Sequence, residues 1–339
     1  MTIDATPAGL SVDPTPAGLT DATPAGVTVD ATPASLTVDA TPAGRTVGAT
    51  PAGLRLVAVN LAATVEQASV GSDPYRIDAD GSPYVPVGDG GIVLGVRLGD
   101  GVWEHPADHA APGACLIHQD PAAGYALSAQ ACIGNPVTVR TGAAAGRTGT
   151  VVGKRGEGGR VIAVFPQDTL RLLRPGDQLA VRGRGTGAAD PVPGVTIRNI
   201  DPALLALLPV TVGPQTLTVG VRAQLPSKLV GNGIGRPTPM WDLDLQLTPA
   251  SARRYEAAGL RLGDLVAITD LDARFNAGYR RGWVTVGLVA HGGSPQPGHG
   301  PGVTAILTGP AGSLLARPDP AGHQGLSEEA ALDAVRDLR

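Results

Sequence analysis

The stretch PVTVRTGAAAGRTGTVVGKRGEGGRVIAVF, residues 136–165, contains three runs rich in β-branched residues, separated by glycine-rich turns. Runs of Val, Ile and Thr between such turns are typical of short antiparallel strands. The pattern predicts strands at 137–140, 150–152 and 160–165. This stretch therefore indicates a strand-rich fold rather than a helical bundle.

Residues 136–183 are similar in spacing and glycine content to the small SH3-like barrels of the KOW type, some of which contact RNA. Lys154, Arg155 and Arg160 are the basic residues of this segment's central hairpin. They are too few, and lack the neighbouring aromatic side chains, for a surface that binds nucleic acid. We interpret the segment as a structural module.

The composition of the whole chain extends this interpretation. Of 339 residues, 48 are Gly and 31 are Pro, while aromatic residues make up only 3%. This mixture favours many short strands joined by tight turns. We predict a mainly β fold with a few short helices, an α+β class that contains several small barrel-like modules. Capping residues predict helices at 248–258 and 327–338.

Charge and cysteine content exclude several classes of partner. Residues 1–53 hold five acidic residues and one basic residue, a net charge of −4; the whole chain also carries −4, so residues 54–339 are neutral. A neutral body has no field to attract nucleic acid or an anionic membrane. Cys115 and Cys132 form no Cys-x-x-Cys motif, and neither a secretory pattern nor a run of 18 apolar residues occurs. We expect a cytoplasmic protein.

The first 53 residues form a tandem repeat. Six copies of a unit close to TVDATPAGL are marked by prolines at positions 7, 16, 24, 33, 42 and 51. Each copy offers few apolar side chains, which favours a disordered or loosely extended chain over a β-roll. We therefore expect a repeat at 1–53, a folded body at 54–315, and a linker with a helix at 316–339.

A turn motif recurs three times in the body. The sequence reads Val-Arg-Leu-Gly-Asp at 96–100, Leu-Arg-Pro-Gly-Asp at 173–177 and Leu-Arg-Leu-Gly-Asp at 260–264. Gly adopts positive φ readily, and Asp bonds to the local backbone in turns. We interpret these three Asp residues as structural. The Asp78-Ala-Asp80-Gly81 sequence is likewise predicted to be a hairpin turn.

Candidate site residues concentrate between residues 263 and 307. Asp270 and Asp272 follow a run that is apolar enough to be a buried strand, and His291 and His299 lie on glycine-rich sequence beyond the next run. His109 is an outlying candidate. Its H-x3-H spacing from His105 is interrupted by Pro106, which argues against a helical zinc motif. These five residues are candidate ligands for a divalent metal ion, and Asp270 and His299 are also candidate catalytic groups.

The sequence Gly298-His299-Gly300-Pro301-Gly302 surrounds one imidazole with unusually permissive backbone. Glycines there allow close approach of a substrate or provide N–H donors. We expect Gly298, Gly300 and Gly302, together with Asn135, to contact substrate. An alternative remains open: the Asp residues cap turns and the His residues bond to carbonyl groups.

Five motifs, in this order, resemble domain-of-unknown-function family 4438 (DUF4438). They are Cys132-Ile-Gly-Asn135, the barrel segment 146–165, Asn199-Ile-Asp-Pro202, the run 260–270 and Gly298-His-Gly-Pro-Gly302. The resemblance covers about residues 55–315. It implies a mixed, strand-rich fold with a shared pocket, and it implies no chemistry.

The combination of carboxylates and imidazoles on glycine-rich loops favours an enzyme. We predict a metal-assisted hydrolase or lyase that acts on a small molecule. The alternative is a non-enzymatic binding protein or homo-oligomeric scaffold, with edge strands as interfaces.

Overall fold

The structure, a computed structural model, describes residues 56–71, 73–156, 159–319 and 325–334. Strands account for 39% of it and helices for 13%, which confirms the prediction of a mainly β fold with a few short helices. The tandem repeat and the end of the predicted C-terminal helix lie outside the described residues. Within them, no helix has the length and apolar character needed to cross a membrane.

The secondary-structure elements follow one another at short intervals. The strands are β1 Ala58–Val65, β2 Arg76–Ile77, β3 Pro83–Tyr84, β4 Ile92–Val93, β5 Gly113–Ile117, β6 Pro136–Val139, β7 Thr148–Arg155, β8 Arg160–Val164, β9 Gln178–Arg184, β10 Thr196–Ile197, β11 Val210–Val212, β12 Leu217–Val221, β13 Ala223–Pro226, β14 Leu243–Asp244, β15 Leu265–Asp272, β16 Gly278–His291, β17 Gly302–Pro310 and β18 Leu314–Pro318. The helices are α1 Pro121–Gln130, α2 Gln167–Leu170, α3 Pro202–Leu205, α4 Pro249–Ala252 and α5 Glu328–Asp333.

Six strands close into a barrel, in the order β1, β9, β6, β7, β8 and β5, with β5 paired back to β1. All of these pairings are antiparallel. Buried and exposed residues alternate along β1, as expected for a barrel strand with one face in the core. Leu61, Ala63 and Val65 are buried, whereas Asn60 and Ala62 are exposed. Closure pairs both edges of the sheet, so the barrel has no open edge.

The strands predicted from the opening stretch are observed as β6, β7 and β8. Together with β9 they supply four of the six barrel strands, and β1 and β5 complete the ring. Residues 136–183 therefore do not form a closed barrel on their own. The likeness of this segment to SH3-type barrels stays a prediction.

A second sheet packs against the barrel. Its strands run in the order β10, β17, β16, β15 and β13, and β14 pairs with the far end of β17. The contact with β7 is close, since a Cβ added at Gly153 would lie 2.3 Å from the Cβ of Ala290. The Lys154 backbone N–H also donates to the Thr304 hydroxyl at 3.0 Å. This junction places the ends of β14 and β16 beside the barrel.

Smaller elements cover the remaining faces. β11, β12 and β18 form a third sheet, and β2 and β3 form a hairpin whose turn contains Asp78 and Gly81, as predicted. The helix predicted at 248–258 is shorter than expected. It begins with the Thr248 capping box and becomes a 3-10 turn, Arg253–Tyr255, which ends at Glu256 with a φ of 55°.

Candidate metal centre

His109 lies on the loop that leads into β5, in a backbone conformation that is uncommon for a residue with a side chain. Its φ is 53°, and its N–H donates to the carbonyl of Gly293 at 2.9 Å. Its imidazole is buried, with 1% of the residue exposed. Such backbone costs about 1–3 kcal/mol. The surrounding structure therefore fixes this imidazole in place.

The two ring nitrogens of His109 have different surroundings. Nδ1 lies 2.6 Å from Oδ1 of Asp108. Nε2 lies 4.0 Å from Oδ1 of Asp244. Within the described residues, neither Nε2 nor the Nδ1 contact with Asp108 has the geometry of a hydrogen bond. A buried nitrogen without a partner is costly, because water no longer solvates it. A carboxylate on one nitrogen and an open second nitrogen is the arrangement found at metal-ligating histidines.

His291 lies at the end of β16, opposite Gly302 of β17. A Cβ at Gly302 would lie 1.8 Å from His291 Nε2, so the imidazole occupies the space that any larger residue would need. Nδ1 lies 2.9 Å from the Gly292 carbonyl, and Nε2 lies 2.8 Å from Oδ2 of Asp242. Burial alone would lower the pKa of His291, but its contact with Asp242 raises that pKa above the ordinary value.

His299 lies on the loop between β16 and β17. Its Nδ1 lies 3.0 Å from the Pro297 carbonyl, which accepts the ring N–H. Its ring centroid lies 5.1 Å from that of His109, and the His109 ring is also 5.1 Å from that of His291. Three imidazoles, contributed by two loops and the end of a strand, therefore converge.

Asp242 and Asp244 complete the group, although neither was a predicted site residue. Oδ1 of Asp242 accepts the Gly156 N–H at 2.9 Å, and Oδ2 of Asp244 accepts from the Asn232 amide at 3.1 Å. The other oxygen of each carboxylate faces His291, at 2.8 Å for Asp242 and 3.6 Å for Asp244. Each carboxylate thus accepts a hydrogen bond through one oxygen and faces His291 with the other.

We refer to His109, Asp242, Asp244, His291 and His299 as the cluster. Two of its subsets have ligand atoms that all lie within 4.8 Å of one another: one contains His109, Asp244 and His299, and the other Asp242, Asp244 and His291. Asp244 belongs to both subsets. Within each subset, these distances and donor types suit a divalent ion held by nitrogen and oxygen.

A buried network supports His109 from behind. Oδ2 of Asp108 accepts from Arg76 Nη1 and from the Tyr84 hydroxyl, each at 3.0 Å. Arg76 and Arg155 both contact Asp89. Asp89 and Asp108 also lie within ligand range of His109. Guanidinium groups already neutralise Asp89. We therefore interpret the group of Asp89, Asp108 and His109 as support for His109 rather than as a cation site.

The same network sets the protonation of His109. Burial, reinforced by the positive charge of Arg155, lowers the pKa of His109 to about 4. Burial would raise the pKa of Asp108, but contacts with His109, Ser294 and Tyr84 hold that pKa far below its ordinary value. His109 is therefore a neutral imidazole beside a carboxylate at physiological pH, which is the form that binds metal.

A cavity of about 730 Å³ opens beside the cluster. His299 and Asp108 form part of its wall, together with Gly298 and Trp103. A volume of this size fits a small molecule. The cluster is thus accessible to a ligand through His299, while His109 and His291 lie buried behind it.

The comparisons with known proteins agree with this architecture. The N-terminal model of DUF4438, a domain of unknown function, matches residues 75–206, and the C-terminal model matches residues 207–322. The chain belongs to the DUF4438 family. The resemblance predicted from five sequence motifs is therefore confirmed.

A solved structure titled "Crystal structure of TM1086" is similar to this DUF4438 chain. The TM-score is 0.75 and the sequence identity 32%, with 79% of this chain and 95% of that chain covered. A search of curated proteins found no match.

The cluster lies between the two DUF4438 domains. His109 comes from the N-terminal domain, and the other four members come from the C-terminal domain. Neither domain alone supplies the full set of ligands.

Two predicted ligands, Asp270 and Asp272, lie outside the cluster. The ladder between β15 and β16 pairs Leu265 with Leu288 and Asp272 with Gly278, so Asp272 lies at the opposite end of the ladder from His291. Oδ1 of Asp270 accepts the Gly282 N–H at 2.7 Å. Asp272 is paired with Arg274 and Arg280. Both carboxylates are occupied in stabilising the hairpin.

Of the residues predicted to contact substrate, some line the cavity and others stabilise the fold. Gly298 lines the cavity, whereas Gly300 packs against the main chain, where an added Cβ would lie 1.8 Å from the Leu245 carbonyl. Asn135 is fully buried and lies outside the cavity lining. Its Oδ1 accepts from the N–H groups of Cys132 and Arg184, at 2.7 and 3.0 Å, which fixes the turn beside β9.

Proposed function

We propose that this protein binds one divalent metal ion in the cluster and uses it as a metal-assisted hydrolase or lyase on a small molecule. The observation that carries the proposal is the meeting of three imidazoles and two carboxylates beside a cavity of about 730 Å³, to whose wall His299 belongs. The buried, unpartnered Nε2 of His109 fits this use, because a cation would supply the contact that the protein does not.

The orientation of the imidazoles supports ligation through Nε2. The Nδ1 atoms of His291 and His299 face backbone carbonyls, and that of His109 faces Asp108. An N–H directed at such an acceptor fixes the tautomer and leaves the lone pair on the opposite nitrogen. Mixed imidazole and carboxylate donors favour zinc, iron, manganese, cobalt or nickel over calcium or magnesium.

When bound, such an ion polarises a substrate carbonyl or phosphoryl oxygen and lowers the pKa of water. The protein's own contribution is to hold the ligands and to position the substrate. His109, His291, Asp242 and Asp244 are each no more than 1% exposed, which limits access to the side of His299 and the cavity. A substrate therefore approaches from one direction.

Elemental analysis tests the proposal directly. Full-length protein purified without an affinity tag or chelator should contain close to one equivalent of a divalent transition metal. His109→Ala and His299→Ala should lose most of it, and His118→Ala, outside the cluster, should retain it. Less than about a tenth of an equivalent in the wild type, after incubation with zinc or manganese, would contradict the proposal.

Activity forms the second part of the test. Metal-loaded protein should convert at least one member of a panel of small esters, amides and lactones, by hydrolysis or by an elimination reaction. A chelator should abolish this turnover, and added metal should restore it. Stoichiometric metal without any turnover would instead support the alternative, a non-enzymatic metal-binding protein.

A further inference from the structure

The cavity beside the cluster has an unusual charge distribution. Among the described residues that line it are the acids Asp78, Asp80 and Asp108, but no Lys or Arg. Gln246, Thr248, Ser294 and Gln296 provide neutral polar groups, and Trp103 provides an aromatic wall. Sites for phosphate or carboxylate groups usually present Arg, Lys or a helix N-terminus. The N-terminus of α4 also lines the cavity at Thr248 and Pro249, but this helix has only four residues and its Ser251 N–H is already capped by the Thr248 hydroxyl. The lining imidazoles are His105, which lies 3.0 Å from Oδ2 of Asp100, and His299 of the cluster. The lining therefore offers an anionic ligand no Lys or Arg.

The cluster, which lies behind His299, does not compensate for this. Two carboxylates, Asp242 and Asp244, belong to the cluster, and one divalent ion balances their formal charge. Arg155 lies nearby, but it is committed to Asp89. Arg76 is similarly held by Asp89 and Asp108. A loaded centre therefore adds no net positive charge that would attract an anion.

Asp78 and Asp80 lie on the β2–β3 turn, which is fixed over the cavity. The Ala79 N–H, between them, donates to the Pro295 carbonyl at 3.0 Å, joining the turn to the opposite wall. Oδ1 of Asp78 accepts the N–H groups of Asp80 and Ser82, at 2.9 and 2.8 Å. The Asp80 carboxylate makes no hydrogen bond or ion pair within the described residues. This carboxylate remains available to a ligand.

We infer that the cavity takes a small molecule with a basic group, an amine or guanidinium, that lies against Asp80 while its reacting end faces the cluster. This inference rests on the proposed function, because it assigns the substrate class of the same site. Trp103 favours the same class, since aromatic rings attract cations. The same carboxylates repel anions, so we expect phosphate esters and dicarboxylates to bind less tightly than cationic ligands.

A series of three metal-binding probes tests the inference. Benzohydroxamic acid, its 4-aminomethyl derivative and its 4-carboxy derivative share one chelating group and differ only in distal charge. The Kd of each compound is measured by isothermal titration calorimetry with metal-loaded full-length protein at low ionic strength. The aminomethyl compound should bind at least about tenfold more tightly than the carboxy compound, and the Kd of the parent should lie between the two. Added salt should narrow the difference.

Asp80→Asn should reduce the preference for the cation to about threefold or less without changing the affinity for the parent compound. The matched control, Glu329→Gln, removes an exposed carboxylate on α5 and should leave the preference intact. Equal binding of the three probes, tighter binding of the carboxylate, or a preference that survives in Asp80→Asn would overturn the inference while leaving the metal centre standing.

If the proposed metal centre does not exist, the same experiments give a different result. Protein without metal would bind none of the probes, and elemental analysis would show the reason. If the protein holds metal but binds none of the three probes, the cavity is not the ligand site, and the inference fails alone.

Discussion

The Nε2 atom of His291 lies 2.8 Å from Oδ2 of Asp242, and both side chains are inaccessible to solvent. The opposite nitrogen of His291 faces a backbone carbonyl at 2.9 Å. Two acceptors thus face the two ring nitrogens, and a proton or a metal ion must lie between Nε2 and the carboxylate. This pair connects the fold to the proposed chemistry, because it lies where β16 ends and where Asp242 precedes β14.

Asp242→Asn should therefore weaken metal binding by at least about 10- to 100-fold, since it removes one anionic donor while preserving shape. Competition with a chromogenic chelator measures the change. The matched control is Asp270→Asn, which alters a carboxylate outside the cluster at a φ of 57° that Asn tolerates well. Equal metal affinity in the two variants would remove Asp242 from the centre.

Asp108→Asn should also weaken metal binding by about 10- to 100-fold, although Asp108 acts through His109 as a positioning residue. An amide in place of the carboxylate no longer fixes the proton on Nδ1 of His109. The tautomer can be followed by nitrogen chemical shifts of labelled histidine. Tyr84→Phe, which removes only one of the donors to Asp108, should have a smaller effect. An unchanged tautomer and affinity in Asp108→Asn would show that the network is purely structural.

Gly302→Ala should lower both stability and metal content. The new Cβ would lie 1.8 Å from His291 Nε2, so the ring or the strand must move. Overpacking of this kind costs about 1–3 kcal/mol or more. Urea unfolding measures the loss, and Gly312→Ala, which places its Cβ in open space, should stay within about 0.5 kcal/mol of wild type. Similar stability of the two variants would contradict the observed packing.

The buried Lys154 side chain should make the free energy of unfolding depend on pH. It is fully buried, and burial lowers its pKa from 10.5 to about 8. Between these two values the unfolded chain retains a proton that the native chain has released, so this group makes stability rise with pH, by up to about 3 kcal/mol. Lys154→Met should flatten the rise measured by urea unfolding between pH 8 and pH 10. Parallel curves for both proteins would refute the assignment.

Local structure followed closely from the sequence. In the three repeated turns, Asp100, Asp177 and Asp264 each accept the N–H of the Arg three residues earlier at 2.8 Å, and the intervening glycines have positive φ. The prediction that these Asp residues are structural agrees with these bonds. Residue type decides such turns because the bond from the Arg N–H to the Asp carboxylate spans only three residues.

The site could be predicted only in part. His109, His291 and His299 were candidates because imidazoles on glycine-rich or irregular backbone suggest ligands, but their convergence depends on contacts up to 190 residues apart in sequence. Asp242-Leu-Asp244 and Asp270-Leu-Asp272 have the same spacing. Their different positions follow from long-range strand pairing. The pairing of β14 with β17 places Asp242 and Asp244 in the cluster, and the register of β15 on β16 places Asp270 and Asp272 at the hairpin.

The most direct test of the metal centre is anomalous diffraction from crystals of the metal-loaded protein, recorded on both sides of the metal's absorption edge. We predict one strong peak about 2.0–2.2 Å from Nε2 of His109, from a ring nitrogen of His299 and from a carboxylate oxygen of Asp244. Crystals soaked in saturating zinc or manganese that show no peak among these three side chains would contradict the account.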